Sequence, residues 1–155
     1  MAKEIEKKFL CKKDVNAWML NNGMTIHQVY LHVDDEKQMR VRIVNDHLAY
    51  FCIKYIIGDG VERDEFEYQI PYEDAKYLYD KADYKFKKVR YSDKTAEGFH
   101  IDIDCYNDGV VIAEVELPSR DVWFSKPMYF GEEVTGKHEY CNYHYAGIPE
   151  YKYKK

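Results

Sequence analysis

Glu4-Ile5-Glu6-Lys7-Lys8 stands at the start of a 155-residue chain. Read as a strand, it puts Glu4, Glu6 and Lys8 on one face, because strand side chains alternate with period two. Near the far end, Glu114-Val115-Glu116 repeats the spacing. Two acids and a base in one row are poor core material and more than solubility needs. Four carboxylates in two such pairs suit a hard cation that takes oxygen ligands.

The habit recurs along the chain. Arg40 and Arg42 flank Val41, Glu65 and Glu67 flank Phe66, Lys88 and Arg90 flank Val89, and Asp102 and Asp104 flank Ile103. Lys54 closes the apolar run 49–53, and Arg63 opens the strand that holds Glu65. Each strand thus has a charged face and an apolar face. Any single pair is what the wet face of an antiparallel sheet carries. The segregation is less ordinary, since some strands offer only bases and others only acids. The Arg-rich bases also suit bidentate contact with phosphate oxygens.

Composition narrows the classes. The chain has the length of one domain with a real core, and its 46% hydrophobic content, with 16 Tyr, excludes disorder. No apolar run approaches the roughly 20 residues of a membrane span, and no apolar signal region follows Lys3. Cys11, Cys52, Cys105 and Cys141 lie far apart and read as reduced thiols of a cytoplasmic protein. The net charge of −5 does not favour nucleic acid, so any anion site is a local pocket.

Strand signals dominate the order of elements. Strands are expected at 3–10, 25–33, 38–44, 47–56, 62–70, 85–92, 99–106 and 110–117. A hairpin turn falls at Asn45-Asp46, and further turns at Gly58-Asp59-Gly60 and Asn107-Asp108-Gly109. Short helices are expected at 14–20, capped by Asp14 and stopped at Asn22-Gly23, at 72–82 after Pro71, and at 139–146 before Gly147 and Pro149. Trp18 and Trp123 read as core. The fold class is mainly β with flanking helices, and few helices join strands, so the sheet is mostly antiparallel. A sheet of about eight strands tends to close. Closed with its charged face inward, it encloses a lumen that cannot be a dry core, because unpaired buried charge is too costly. Water, a divalent cation and a polyphosphate anion would fill it. That is an arrangement for phosphoryl transfer, where positioning and charge stabilisation dominate.

At this point the residues resemble a known family. Glu4-x-Glu6-x-Lys8 is similar to the ExExK signature of the CYTH superfamily, the triphosphate tunnel metalloenzymes. Ile26-x-Gln28-x-Tyr30-Leu31, Arg40-Val41-Arg42, Ile53-Lys54, Arg63-x-Glu65-x-Glu67 and Lys88-Val89-Arg90-Tyr91 follow in the family's order. Ile101-Asp102, Ala113-Glu114-Val115-Glu116-Leu117, Glu133-Val134-Thr135-Gly136 and Tyr140-x-Asn142 complete it. Val29, Phe99 and Pro127-Met128-Tyr129 depart from the usual residues, and the turn at Asn107-Asp108-Gly109 is a residue short.

The resemblance implies a closed eight-stranded antiparallel tunnel over residues 1–150, with a frayed tail at 151–155. Its members include inorganic tripolyphosphatases, thiamine triphosphatases, RNA triphosphatases and class IV adenylyl cyclases, and the compact bacterial branch matches this length. Hydrolysis of a small triphosphate with Mg²⁺ or Mn²⁺ is therefore expected, with no nucleic-acid or membrane partner and a homodimer as a possible assembly. Glu4, Glu6, Glu114 and Glu116 are expected to hold metal, with Asp102 sharing a second ion. Lys8, Arg40, Arg42, Lys54, Arg63, Lys88 and Arg90 would grip phosphate oxygens, with Glu65 and Glu67 in support. Lys8, Tyr30 and Glu116 are the catalytic candidates, and His100 is a lesser lumenal one. The alternatives are an adenylyl cyclase using the same grip, and a non-catalytic polyphosphate-binding module.

Overall fold

The first strand, β1 (Ala2–Cys11), is the seam of a closed barrel. The computed structural model describes residues 1–12 and 23–148. After β1 come β2 (Met24–Val33), β3 (Lys37–Val44), β4 (Leu48–Ile57) and β5 (Glu62–Ile70). Helix α1 (Tyr72–Lys81) leads to β6 (Lys85–Lys94), β7 (His100–Tyr106), β8 (Val111–Glu116) and β9 (Phe130–Glu133). A 3₁₀ turn (His138–Tyr140) and α2 (Asn142–Tyr145) end the described chain.

Hydrogen-bonded neighbours run β5-β4-β3-β2-β6-β7-β8-β1, and β1 also pairs with β5, so eight antiparallel strands form a ring. β1 closes it by dividing its length. Ala2 and Ile5 sit opposite Glu65 and Glu62 of β5, while Glu6 and Leu10 sit opposite Glu116 and Ile112 of β8. β9 takes the edge that β5 leaves, with Phe9 opposite Glu133 and Cys11 opposite Phe130. The β3–β4 hairpin turns on Asn45 and Asp46, both with positive φ (51° and 60°), the geometry a tight hairpin needs and these two residue types tolerate.

Because side chains alternate, the outward face is apolar and needs cover. Helix α1 lays Ala75, Leu78 and Tyr79, at helical spacing, against Val29, Val41, Ile43 and Ala49, and Ala82 just beyond its end joins them. Glu73 and Asp74 in its first turn and Lys81 in its last complement the helix dipole. On the β7–β8–β1 side, Leu117, Phe124 and Phe130 cover Phe9, Ile101, Ile103, Ala113 and Val115. A third cluster lies on the inward phase at one end of the barrel. There Tyr143, Ala146 and Ile148 meet Tyr30, Phe86, Tyr106 and Ile112, so α2 seals that end.

Several expectations change. Trp123 is exposed (76%), because its neighbour Phe124 takes the inward place on that segment. The helix expected at 139–146 is broken at Cys141, whose extended backbone separates the 3₁₀ turn from α2. β9 went unanticipated, being only 4 residues long and polar at its end. The helix at 14–20 with Trp18, Pro149 and the tail at 151–155 lie outside the described residues. Among the described residues no helix is long and apolar enough to cross a membrane.

β9 and the turn after it hold a site residue. Val134 N–H donates to the Lys8 carbonyl (2.8 Å), and Lys8 N–H donates to Thr135 Oγ1 (3.0 Å). A Cβ on Gly131 would lie 2.9 Å from the Leu10 carbonyl oxygen, which is backbone and cannot swing away. Gly131→Ala is expected to push β9 off β1 and lower stability by about 1–3 kcal/mol. Urea unfolding measures this, and an unchanged midpoint would contradict the packing described.

Candidate active site

The inward phase of the eight strands encloses a cavity of about 260 Å³. Glu4, Glu6 and Lys8 of β1, Glu114 and Glu116 of β8, and Asp102 of β7 line one side. β3 stands four places from β8 in the ring of eight, across the lumen, and brings Gln38, Arg40 and Arg42. Lys54 of β4, Arg63, Glu65 and Glu67 of β5, Arg90 of β6 and Tyr30 of β2 fill the walls between, and Cys141, Asn142 and Tyr143 come from the cap. Ring order therefore sets a carboxylate wall against an arginine wall.

The arginine wall is short of negative charge. Arg40 is buried, its Nε has no hydrogen-bond partner, and among the described residues neither Arg40 nor Arg42 forms an ion pair. Arg42 Nε donates to Gln28 Oε1 (3.3 Å), and Gln28 Nε2 donates to the Tyr30 hydroxyl (3.1 Å). Burial, with Arg40 and Arg90 nearby, pushes the Arg42 guanidinium down to about 10. Burial likewise pushes Lys54 down, assisted by Arg40 and Arg63, while Glu4, 2.8 Å away, pulls it back. Charges pressed together in this way are unfavourable until an anion arrives between them.

The carboxylate wall has the opposite deficit. Glu6 lies directly opposite Glu116 across the β1–β8 pair, and Asp102 lies directly opposite Glu114 across β7–β8. Like charges opposite one another disfavour a sheet. Burial raises the proton affinity of Glu116, and Asp102, Glu4 and Glu6 raise it further. Glu114 Oε1 is buried without a hydrogen-bond partner, although Lys8 Nζ lies 3.7 Å away. Against burial, Glu114 and Glu6 hold Lys8 well above the ordinary lysine range. Glu6 also pairs with Arg63, and Arg90 reaches Asp102 at 3.2 Å.

Of the residues expected at the site, all but Lys88 and the lesser candidate His100 meet in this cavity. Lys88 Nζ is fully buried and donates to Asp104 (2.8 Å) and to Asn142 Oδ1 (3.1 Å). Arg90 forks onto the same Asp104 at 2.7 and 2.9 Å. Asp104 is thus the hub that ties β6 to β7, and Lys88 ties the barrel wall to the cap. His100 pairs with Asp102 (2.7 Å) at the rim. Gln38 and Tyr143 line the cavity and were not anticipated. Gln38 shares the phase of Arg40 and Arg42 two and four residues on, so alternation alone signals it. Nothing local signals Tyr143, which reaches the lumen through the cap.

No family model matches the chain. It is 38% identical, over 162 aligned positions spanning all of both chains, to an inorganic triphosphatase of Acetivibrio thermocellus. It is 29% identical over 145 positions, 90% of this chain and 93% of the relative, to an inorganic triphosphatase of Nitrosomonas europaea. Among solved structures it is similar to a crystal structure of an inorganic triphosphatase, with a TM-score of 0.65 and 27% identity, over 97% of this chain and 99% of that one. With a full-length relative at this identity and an eight-stranded barrel whose charged face turns inward, the chain belongs to the CYTH superfamily, the triphosphate tunnel metalloenzymes.

Proposed function

We infer that this tunnel hydrolyses a triphosphate, and that inorganic tripolyphosphate is the preferred one. The observation that carries the reading is the arginine wall of Arg40 and Arg42, neither of which forms an ion pair among the described residues, set across the lumen from crowded carboxylates. A linear polyanion satisfies the first, and a divalent cation satisfies the second. Among the described residues the lining is polar and charged apart from the rings of Tyr30 and Tyr143 and holds no aliphatic side chain, which favours a ligand that is phosphate throughout.

The residues present fit a hard divalent cation. Glu114 Oε1 lacks a partner, Glu116 lies opposite Glu6 and forms no ion pair among the described residues, and the four carboxylates offer only oxygens. Glu4, Glu6, Glu114 and Glu116 would hold the ion, with Asp102 beside them. Mg²⁺ and Mn²⁺ both suit such a set. Such an ion supplies charge neutralisation and an acidified water. The chain's own residues do the rest. Arg40, Arg42, Arg63 and Lys54 hold the phosphate oxygens. Lys8, kept charged by Glu114, neutralises the oxygen that departs with pyrophosphate. Tyr30, beside Gln28 and Arg40, keeps the arginine wall in place. Water adds to the terminal phosphorus as the bond to pyrophosphate breaks, and the proton passes to the carboxylate wall.

Phosphate release from tripolyphosphate, ATP, GTP and thiamine triphosphate, with Mg²⁺ or Mn²⁺ and with chelator, tests this. Tripolyphosphate should turn over fastest, give one phosphate and one pyrophosphate, and stop when metal is removed. Cyclic AMP and pyrophosphate from ATP would make the protein a cyclase instead. Tight binding without turnover would make it a binding module.

A further inference from the structure

Cys52 shares the inward phase of Lys54 on β4, and it lies opposite Arg40 of β3 and Glu67 of β5. Its thiol is buried behind the cavity wall, and it has no hydrogen-bond partner among the described residues. Its Sγ and one carboxylate oxygen each of Glu65 and Glu67 all lie within 4.8 Å of one another. Ligand atoms around a zinc-like ion, with bonds of about 2.3 Å to sulfur and 2.1 Å to oxygen, stand roughly 3.5 Å apart. The 4.8 Å bound leaves at most about 1.3 Å to close between any two of the three.

The donor set differs in kind from the carboxylate wall. Sulfur selects softer, thiophilic ions, whereas the wall of Glu4, Glu6, Glu114 and Glu116 is all oxygen. The charge also fits. Three anionic ligands on a divalent ion leave one negative charge, and Arg40, which has no ion pair among the described residues, stands next to it. Lys54, 3.7 Å from Glu65, adds a second positive group. The cavity reaches Glu65 and Glu67, so an ion arriving by the lumen meets the two carboxylates first and the thiol behind them.

We propose that Cys52, Glu65 and Glu67 form a separate site for a thiophilic divalent cation such as Zn²⁺ or Co²⁺. Binding displaces the thiol proton to solvent and forms the sulfur–metal bond, with no change of oxidation state. The site does not depend on the hydrolysis reading, and it can be tested without substrate.

Co²⁺ titrated into the substrate-free protein is the probe, read by thiolate-to-cobalt charge-transfer absorption in the near ultraviolet. Wild type should show the band with one equivalent, and Cys52→Ser should lose it. Changes one shell out from a metal already cost about 10–100-fold in affinity. Glu67→Gln, which removes a ligand and keeps the thiol, should weaken the titration at least that much. Near-ultraviolet circular dichroism checks that each variant is folded. No band in wild type, or a band that survives in folded Cys52→Ser, overturns the proposal, because the latter places the ion at Cys11, Cys105 or Cys141. Unchanged affinity in Glu67→Gln overturns it too.

Discussion

Glu116→Gln is expected to cut phosphate release from tripolyphosphate by at least about a hundredfold, the scale seen when one preorganised charge-stabilising group is lost. The variant should fold as well as wild type or better. Glu116 faces Glu6 across the β1–β8 pair, and burial with Asp102, Glu4 and Glu6 raises its proton affinity. A carboxyl whose folded pKa is raised makes its ionised form a cost to the fold. That cost is present at neutral pH and vanishes as pH falls below the unfolded value. Glutamine removes it, so the thermal midpoint at pH 7 should stay level or rise, and the advantage should fade in acid. Lost activity with retained stability marks a functional carboxylate. Full activity, or a fold that weakens, would take Glu116 out of the proposed metal site.

Asp104→Asn should do the reverse and damage the fold first. Asp104 is fully buried and accepts from Lys88 and from both prongs of Arg90. Against burial, Arg90 and Lys88 hold its carboxyl far below the usual range. Its contribution is therefore present at neutral pH and lost progressively as pH falls from the ordinary carboxylate range down through that depressed value. Burial pushes Lys88 down to about 7, opposed by Asp104. Removing the hub leaves Lys88 buried without its carboxylate, so that it must give up its proton or stay uncompensated, and takes both Asp104 hydrogen bonds from Arg90, which costs about 3–5 kcal/mol. Urea unfolding should show that loss, and Lys88→Met added to Asp104→Asn should recover part of it by removing the buried amine left without its carboxylate. A loss under about 1 kcal/mol would mean that Asp104 does not anchor β6 to β7. Arg90 lines the cavity and Lys88 bonds the cap through Asn142, so activity should fall along with stability.

The two variants show what the sequence discloses and what it withholds. Period-two alternation names the face of each strand, and it places Glu4, Arg40, Arg42, Lys54 and Glu116 in one lumen. It says nothing of height along the barrel axis. Lys88 and Arg90 share a face, yet Lys88 lies at the depth of the aromatic plug and Arg90 at the depth of the cavity. Asp104 shares the phase of Asp102, but only the register with β6 shows that it neutralises two bases rather than a ligand. The hairpins were legible because Asn45-Asp46 and Asn107-Asp108-Gly109 carry their own turn chemistry. β9 was not, since its existence depends on the edge that β5 vacates on β1. The cap was read as one helix because Cys141 carries no sign of the extended backbone that lets Asn142 reach Lys88.

A triphosphate and a cation are proposed to complete the charge of the lumen. Diffraction from crystals soaked with Mn²⁺ and tripolyphosphate, recorded where manganese scatters anomalously, tests it most directly. An anomalous peak is expected among Glu4, Glu6, Glu114 and Glu116, with phosphate density against Arg40 and Arg42. Manganese elsewhere, or a lumen that stays free of phosphate while the soak reaches the crystal surface, would contradict it.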